Sequence, residues 1–107
     1  MAYKSSTFIG NLTADPELKI LNGDKRIATF SLAINTKLGD KEISEFFDFE
    51  AWEGKADLVS KHLHKGDMIF LTSTPKVQSW QDKDGITKRK IVFVVNEIKF
   101  LSLKKGE

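Results

Sequence analysis

Apolar and polar residues alternate along much of this chain, and the alternation carries most information in Glu45-Phe46-Phe47-Asp48-Phe49-Glu50-Ala51-Trp52. Successive side chains of a strand point to opposite faces, so Phe47, Phe49 and Ala51 share one side while Phe46, Asp48, Glu50 and Trp52 share the other. The first side reads as core. The second holds two large rings with carboxylates between them, and flat rings spaced along an exposed strand are a means of stacking nucleic-acid bases. The competing reading is that a half-buried Phe and Trp cap the core edge or meet another subunit.

The same alternation lays out the rest of the chain. Tyr3 to Ile9 is β-prone, with a bend or bulge expected at Gly10-Asn11, and Thr13-Ala14-Asp15-Pro16 has turn chemistry. Glu17 to Leu21 is extended, and Asn22-Gly23 is a tight-turn signal. Arg26 to Asn35 forms a long strand with Ala28, Phe30, Leu32 and Ile34 facing the core. A polar loop is expected from Thr36 to Ile43, with Lys37 and Lys41 at the hairpin end. After Trp52 the period changes, and Ala56, Val59 and Leu63 recur as the apolar stripe of a short helix stopped at Gly66.

Met68 to Thr74 is an apolar strand, Pro75 marks an edge or bend, and Lys76 to Trp80 stays extended. Asp82-Lys83-Asp84-Gly85 turns the chain and Ile86 to Val95 returns. There Val92 and Val94 are apolar on the face opposite Ile91, Phe93 and Val95, and a strand apolar on both faces needs cover on both. A second subunit is the expected cover, so Val92 and Val94 are assigned to an oligomer interface. Ile98, Phe100, Leu101 and Leu103 are left for packing near the end. Three strands, a short helix and two strands predict an all-β, five-stranded Greek-key OB-fold barrel, with the helix between strands three and four.

Composition narrows the function classes. The 107 residues make one domain, 1–107, with 40% apolar and 30% charged residues and no apolar run long enough to span a bilayer or serve as a secretory signal. A cytoplasmic home is expected. Without cysteine there is no disulfide, thiolate nucleophile or thiolate metal site. Asp48 and Glu50 have the spacing of an acid/base or metal pair but lack His or Cys at ligand spacing. His62 and His64 do not fall on one helix face. Neither catalysis, nor a metal, nor a cofactor is therefore expected.

Net charge is only +2, but its distribution is uneven. Lys76, Lys83, Lys88, Arg89 and Lys90 stand against Asp82 and Asp84 in one short segment, with Trp80 among them. A basic segment around an aromatic suits a phosphate backbone with a stacked base, and its plainer reading is a solubilising hairpin tip.

From Tyr3 to Leu103 the chain resembles the bacterial-type single-stranded DNA-binding proteins. The likeness is carried by Gly10-Asn11-Leu12 with Asp15-Pro16-Glu17-Leu18-Lys19, by Phe30-Ser31-Leu32-Ala33, and by Ala56-Asp57 before Leu63-His64-Lys65-Gly66-Asp67. Trp80 ahead of Asp84-Gly85 completes it. The resemblance implies a non-enzymatic, sequence-tolerant binder of single-stranded DNA in replication, recombination and repair. Phe46, Trp52 and Trp80 are its implied stacking residues, and Lys19, Lys76 and Lys88 its basic positions. Lys37, Lys41 and Arg89 are added from charge and placement alone.

A homo-oligomer is implied, a tetramer first and a dimer second. The chain departs from the family pattern at Leu38, where another stacking ring is usual, and at Asp48 and Glu50, which put negative charge on the ring face. It ends on Lys104-Lys105-Gly106-Glu107 instead of an acidic tip, so tail-mediated partners are not expected. Two readings compete within the fold: an adaptor like the dimeric primosomal protein N, and a barrel that takes RNA or sugar, since stacked rings do not sense a 2′-hydroxyl.

Overall fold

The computed structural model describes residues 4–102. Tyr3, Leu103 and the charged end Lys104 to Glu107 lie outside the described residues. Six strands and one helix follow in the order β1 (Ser6–Leu12), β2 (Glu17–Ile20), β3 (Arg26–Leu38), β4 (Lys41–Trp52), α1 (Gly54–His62), β5 (Met68–Gln81) and β6 (Thr87–Ser102). They form one sheet in the order β1-β5-β6-β4-β3-β2. A further pairing of β1 with β3, at Asn11 with Ala33 and Leu12 with Leu32, closes it on itself. The five long strands are the expected barrel, and β2 is a short addition hydrogen-bonded to the start of β3.

The inside of the barrel is filled by the residues that alternation assigns to it. Ala28, Phe30 and Leu32 of β3, Phe49 and Ala51 of β4, and Ile69 and Leu71 of β5 are buried together. Phe49 belongs to a ring cluster, 5.1 Å from Phe8 edge-on and 5.4 Å from Phe30 in a stacked arrangement. Helix α1 closes one end with Ala56 and Val59, and Leu63 is buried just beyond it. The helix stops at His62 because Leu63 is already extended, ahead of Gly66, whose φ of 92° makes the following turn. At its start Asp57 Oδ1 accepts a 2.7 Å bond from Arg26 Nε. This contact raises the Arg26 pKa above its ordinary value.

Two local expectations change, and a third, at Pro75, is met. Gly10 does not interrupt β1, which runs through it. A Cβ there would sit 2.5 Å from Ile34 Cδ1 and 2.8 Å from the Ala33 carbonyl oxygen, so the missing side chain lets β1 press against β3. Gly10→Ala is therefore expected to cost about 1–3 kcal/mol by overpacking, read as a lowered midpoint in urea with an unchanged slope.

The polar loop at Thr36–Ile43 is also much shorter than expected. Leu38 pairs with Lys41 and only Gly39-Asp40 turns the chain, with φ of 63° at Gly39. Glycine first in a two-residue turn matches the strand twist, so the strands stay paired although their tip is polar. Pro75 lies inside β5, past the last residue paired with β1, Ser73, where that edge of the strand is open and a missing N–H costs no ladder bond.

Candidate nucleic-acid interface

Beyond the barrel the β5–β6 hairpin continues as a two-stranded arm. Its turn is built by Asp82, whose Oδ1 accepts bonds from the backbone N–H groups of Asp84 and Ile86, and by Gly85 at φ 76°. Lys76, Gln78 and Trp80 alternate onto one face of β5, and their cross-strand partners Val92, Lys90 and Lys88 share that face on β6. On β4 the corresponding face carries Phe46, Asp48, Glu50 and Trp52, opposite Ala33, Ser31, Thr29 and Ile27 of β3.

Two contacts join these faces into one surface. Lys76 Nζ donates to Glu50 Oε1 at 2.9 Å, and Lys90 Nζ lies 3.8 Å from Asp48 Oδ2. Phe46 is 65% and Trp80 47% exposed, Trp52 is half-buried, and none of the three makes a ring–ring contact among the described residues. The three rings thus lie on one continuous side of the molecule, open to a planar ligand.

Between β2, β3 and the arm runs a groove of about 740 Å3, lined by residues of this surface, including Trp52, Lys19, Ser31 and Val92. Its floor is tightly organised. Trp52 Nε1 donates to the same Glu50 oxygen at 3.3 Å that receives Lys76, and Ser31 Oγ donates to Asp48 Oδ1 at 2.6 Å. Trp80 lies past the groove with Gln78, Ser79 and Lys90.

The basic residues divide more sharply than their spacing implies. Lys19 of β2 lines the groove and Lys37 shares the ring face of the β3–β4 hairpin, and neither makes an ion pair among the described residues. Lys88 shares the face of Trp80, 3.9 Å from Asp82. Lys76 is committed to Glu50. Lys41 pairs with Leu38 and by alternation faces away from Phe46, and Arg89, opposite Ser79, falls on the back of the arm.

Val92 is placed differently from its expected role. It is only 3% exposed, on the groove side beneath polar chains of the surface, and so offers no face to another subunit. Val94 is half-buried beside β4. Among the exposed apolar residues are Val77 and Ile91, opposite one another on the back of the arm and both more than half exposed. Among the described residues nothing covers that side of the arm, so of the face expected to be core Ile91 is bare while Phe93 and Val95 pack as expected.

Lys90, named in the basic segment but not assigned a role, belongs to this surface, and so does Ser31, which the sequence did not single out. The alternation Lys88, Lys90, Val92 could have suggested Lys90. Ser31 is visible only through its bond to Asp48. Among the described residues no group of three or more His, Cys, Asp or Glu could hold a metal ion, and no helix is long and apolar enough to cross a membrane.

Residues 4–101 match the model of a protein family described as the single-strand binding protein family. The chain is 30% identical over 107 residues to single-stranded DNA-binding protein 1 of Synechocystis sp., covering 98% of this chain and 88% of that one. It is 28% identical over 100 residues to a single-stranded DNA-binding protein of Chlamydia caviae, covering 94% of this chain. It spans 62% of the length of that Chlamydia relative. Among solved structures it is similar to the Plasmodium falciparum SSB complex with ssDNA, with a TM-score of 0.88 and 25% identity over 95% of this chain and 97% of that chain.

Proposed function

Because this chain belongs to the single-strand binding protein family, we propose that it binds single-stranded DNA with little regard to sequence and protects it during replication, recombination and repair. The observation that carries this reading is that Phe46 and Trp52 of β4 and Trp80 of the arm lie on accessible faces joined by the Lys76–Glu50 and Lys90–Asp48 contacts. Bases stack on such rings through their π-faces, which every base has. Cations without a carboxylate partner then meet the phosphates. Lys19 and Lys37 are the best placed, because Lys88 already lies 3.9 Å from Asp82. This is a binding activity, without a catalytic step.

A fluorescence titration of the two tryptophans with oligothymidylate tests the reading. Quenching that saturates at a fixed number of nucleotides supports it, and emission unchanged to micromolar protein and excess DNA rejects it. Lys19→Ala and Lys37→Ala should each flatten the plot of log affinity against log salt by about 0.7, the change that follows when a single strand has one phosphate fewer neutralised. Competition by an RNA oligomer of equal length then measures how far the site favours DNA.

The protein is also proposed to act as a homo-oligomer, a tetramer in the first instance. Val77 and Ile91 replace Val92 as an exposed apolar pair available to a second copy. Light scattering at micromolar concentration is expected to give a multiple of the 12.1 kDa chain mass, and the monomer mass would remove the oligomer.

A further inference from the structure

The groove is the wrong sign for a polyanion. It is lined by four carboxylates, those of Asp15, Glu17, Asp48 and Glu50, against three ammonium groups, in a chain whose net charge is +2. Of the two central carboxylates Glu50 is built in, whereas Asp48 is 55% exposed and held at the surface. Glu50 is 7% exposed, and its Oε1 receives both Lys76 at 2.9 Å and the Trp52 indole at 3.3 Å. Asp48 is held by Ser31 at 2.6 Å, with Lys90 at 3.8 Å from its other oxygen.

We propose that Glu50 and Asp48 are specificity-determining residues that neutralise Lys76 and Lys90 from within, so that the groove accepts bases and refuses phosphates. The inference rests on the reading of this face as a single-strand binding site. A phosphate reaching for Lys76 has to displace a carboxylate already at contact distance, or sit beside it as a second negative charge. A neutral base stacked on Trp52 meets no such penalty.

The strand is thereby oriented with bases toward the floor and phosphates toward Lys19 at the groove and Lys37 farther out on the β3–β4 hairpin. A duplex, whose outer surface is a dense array of phosphates, has nothing to offer this groove. The pairing also makes Lys76 silent in counterion release. Counterions leave the strand only where a phosphate is neutralised, and a Lys76 held by Glu50 neutralises none.

The test compares the full chain with Glu50→Gln and with the double variant Asp48→Asn/Glu50→Gln, using oligothymidylate and a duplex of equal length at several salt concentrations. Gln and Asn keep an acceptor for Trp52, Lys76 and Ser31 while removing the charge. Glu50→Gln is expected to steepen the single-strand salt slope by about 0.7, one further phosphate neutralised, and the double variant by about 1.4. The preference for single strand over duplex should fall in the same order.

Lys76→Gln in the unaltered background, a variant that leaves Glu50 in place, is expected to lower affinity without flattening the slope. Unchanged slopes and discrimination in the carboxylate variants, or a slope flattened by Lys76→Gln, overturn the inference. Weaker single-strand binding by Glu50→Gln with altered Trp52 emission and no change in slope also overturns it, since the carboxylate then serves only to hold the indole. Wild-type protein that binds no single strand removes the functional reading itself, an outcome distinct from wild-type binding with unresponsive variants.

Discussion

Trp80→Ala is expected to weaken single-strand binding by about 1–3 kcal/mol, roughly a 5- to 150-fold rise in Kd, with little change in folding stability. The indole stands on the projecting arm, 47% exposed, opposite Lys88 and clear of the barrel core. Exposed side chains outside special sites usually change stability by no more than about 0.5 kcal/mol. The reduced affinity is then attributable to the stacked base. Phe46→Ala should weaken binding by a similar factor from the β4 side of the same face, and combining the two should bring the effects close to a sum because the rings do not touch.

Equilibrium titration by fluorescence anisotropy measures both. Trp80→Ala should also remove a large share of the tryptophan quenching, and the remainder then belongs to Trp52. A variant that binds as tightly as wild type, with quenching intact, would take Trp80 out of the interface.

The largest effect on stability is expected close to Phe46 on β4, at Phe49 on the strand's other face. Phe49 is 1% exposed and touches the rings of Phe8, Phe30 and Phe93, so Phe49→Ala leaves a cavity at the centre of the barrel. Such truncations cost about 3–5 kcal/mol. For a domain of this size each kcal/mol lowers Tm by about 4–8 °C, so a thermal scan should show the change plainly. Phe46→Ala, measured beside it, should leave Tm nearly where it was. The opposite ranking of these two neighbours would mean that the faces of β4 are reversed.

The contrast between Phe46 and Phe49 follows from local rules, and for that reason both were legible in the sequence. A strand's period of two separates Phe46 and Trp52 from Phe47 and Phe49 before any fold is known. The same period placed Ala28, Phe30 and Leu32 inside, the basic segment around it set Trp80 apart, and the spacing of Ala56, Val59 and Leu63 gave the helix its buried face. Gly10 and the loop at Thr36–Ile43 were misread for a related reason. Composition marks where a chain can turn, but Gly10 is needed by the approach of β3, distant in the chain, and the polar hairpin tip stays paired because its partner strand is adjacent.

What the sequence determined by itself, then, is the order of elements, the two faces of each strand and the three rings set apart from the core, because those depend on the backbone period and on neighbours in the chain. The tertiary structure alone decided which charges are spent on one another and which apolar residues are bare. Lys76 is a basic residue like Lys19 until β5 crosses near β4 and brings Glu50 to 2.9 Å, 26 positions away. Val92 and Ile91 exchange their expected environments because the arm outruns the barrel, leaving one side uncovered while the groove's side chains close over the other. Coulomb energy and burial depend on distance in space, and for residues far apart in the chain the folded sheet sets that distance.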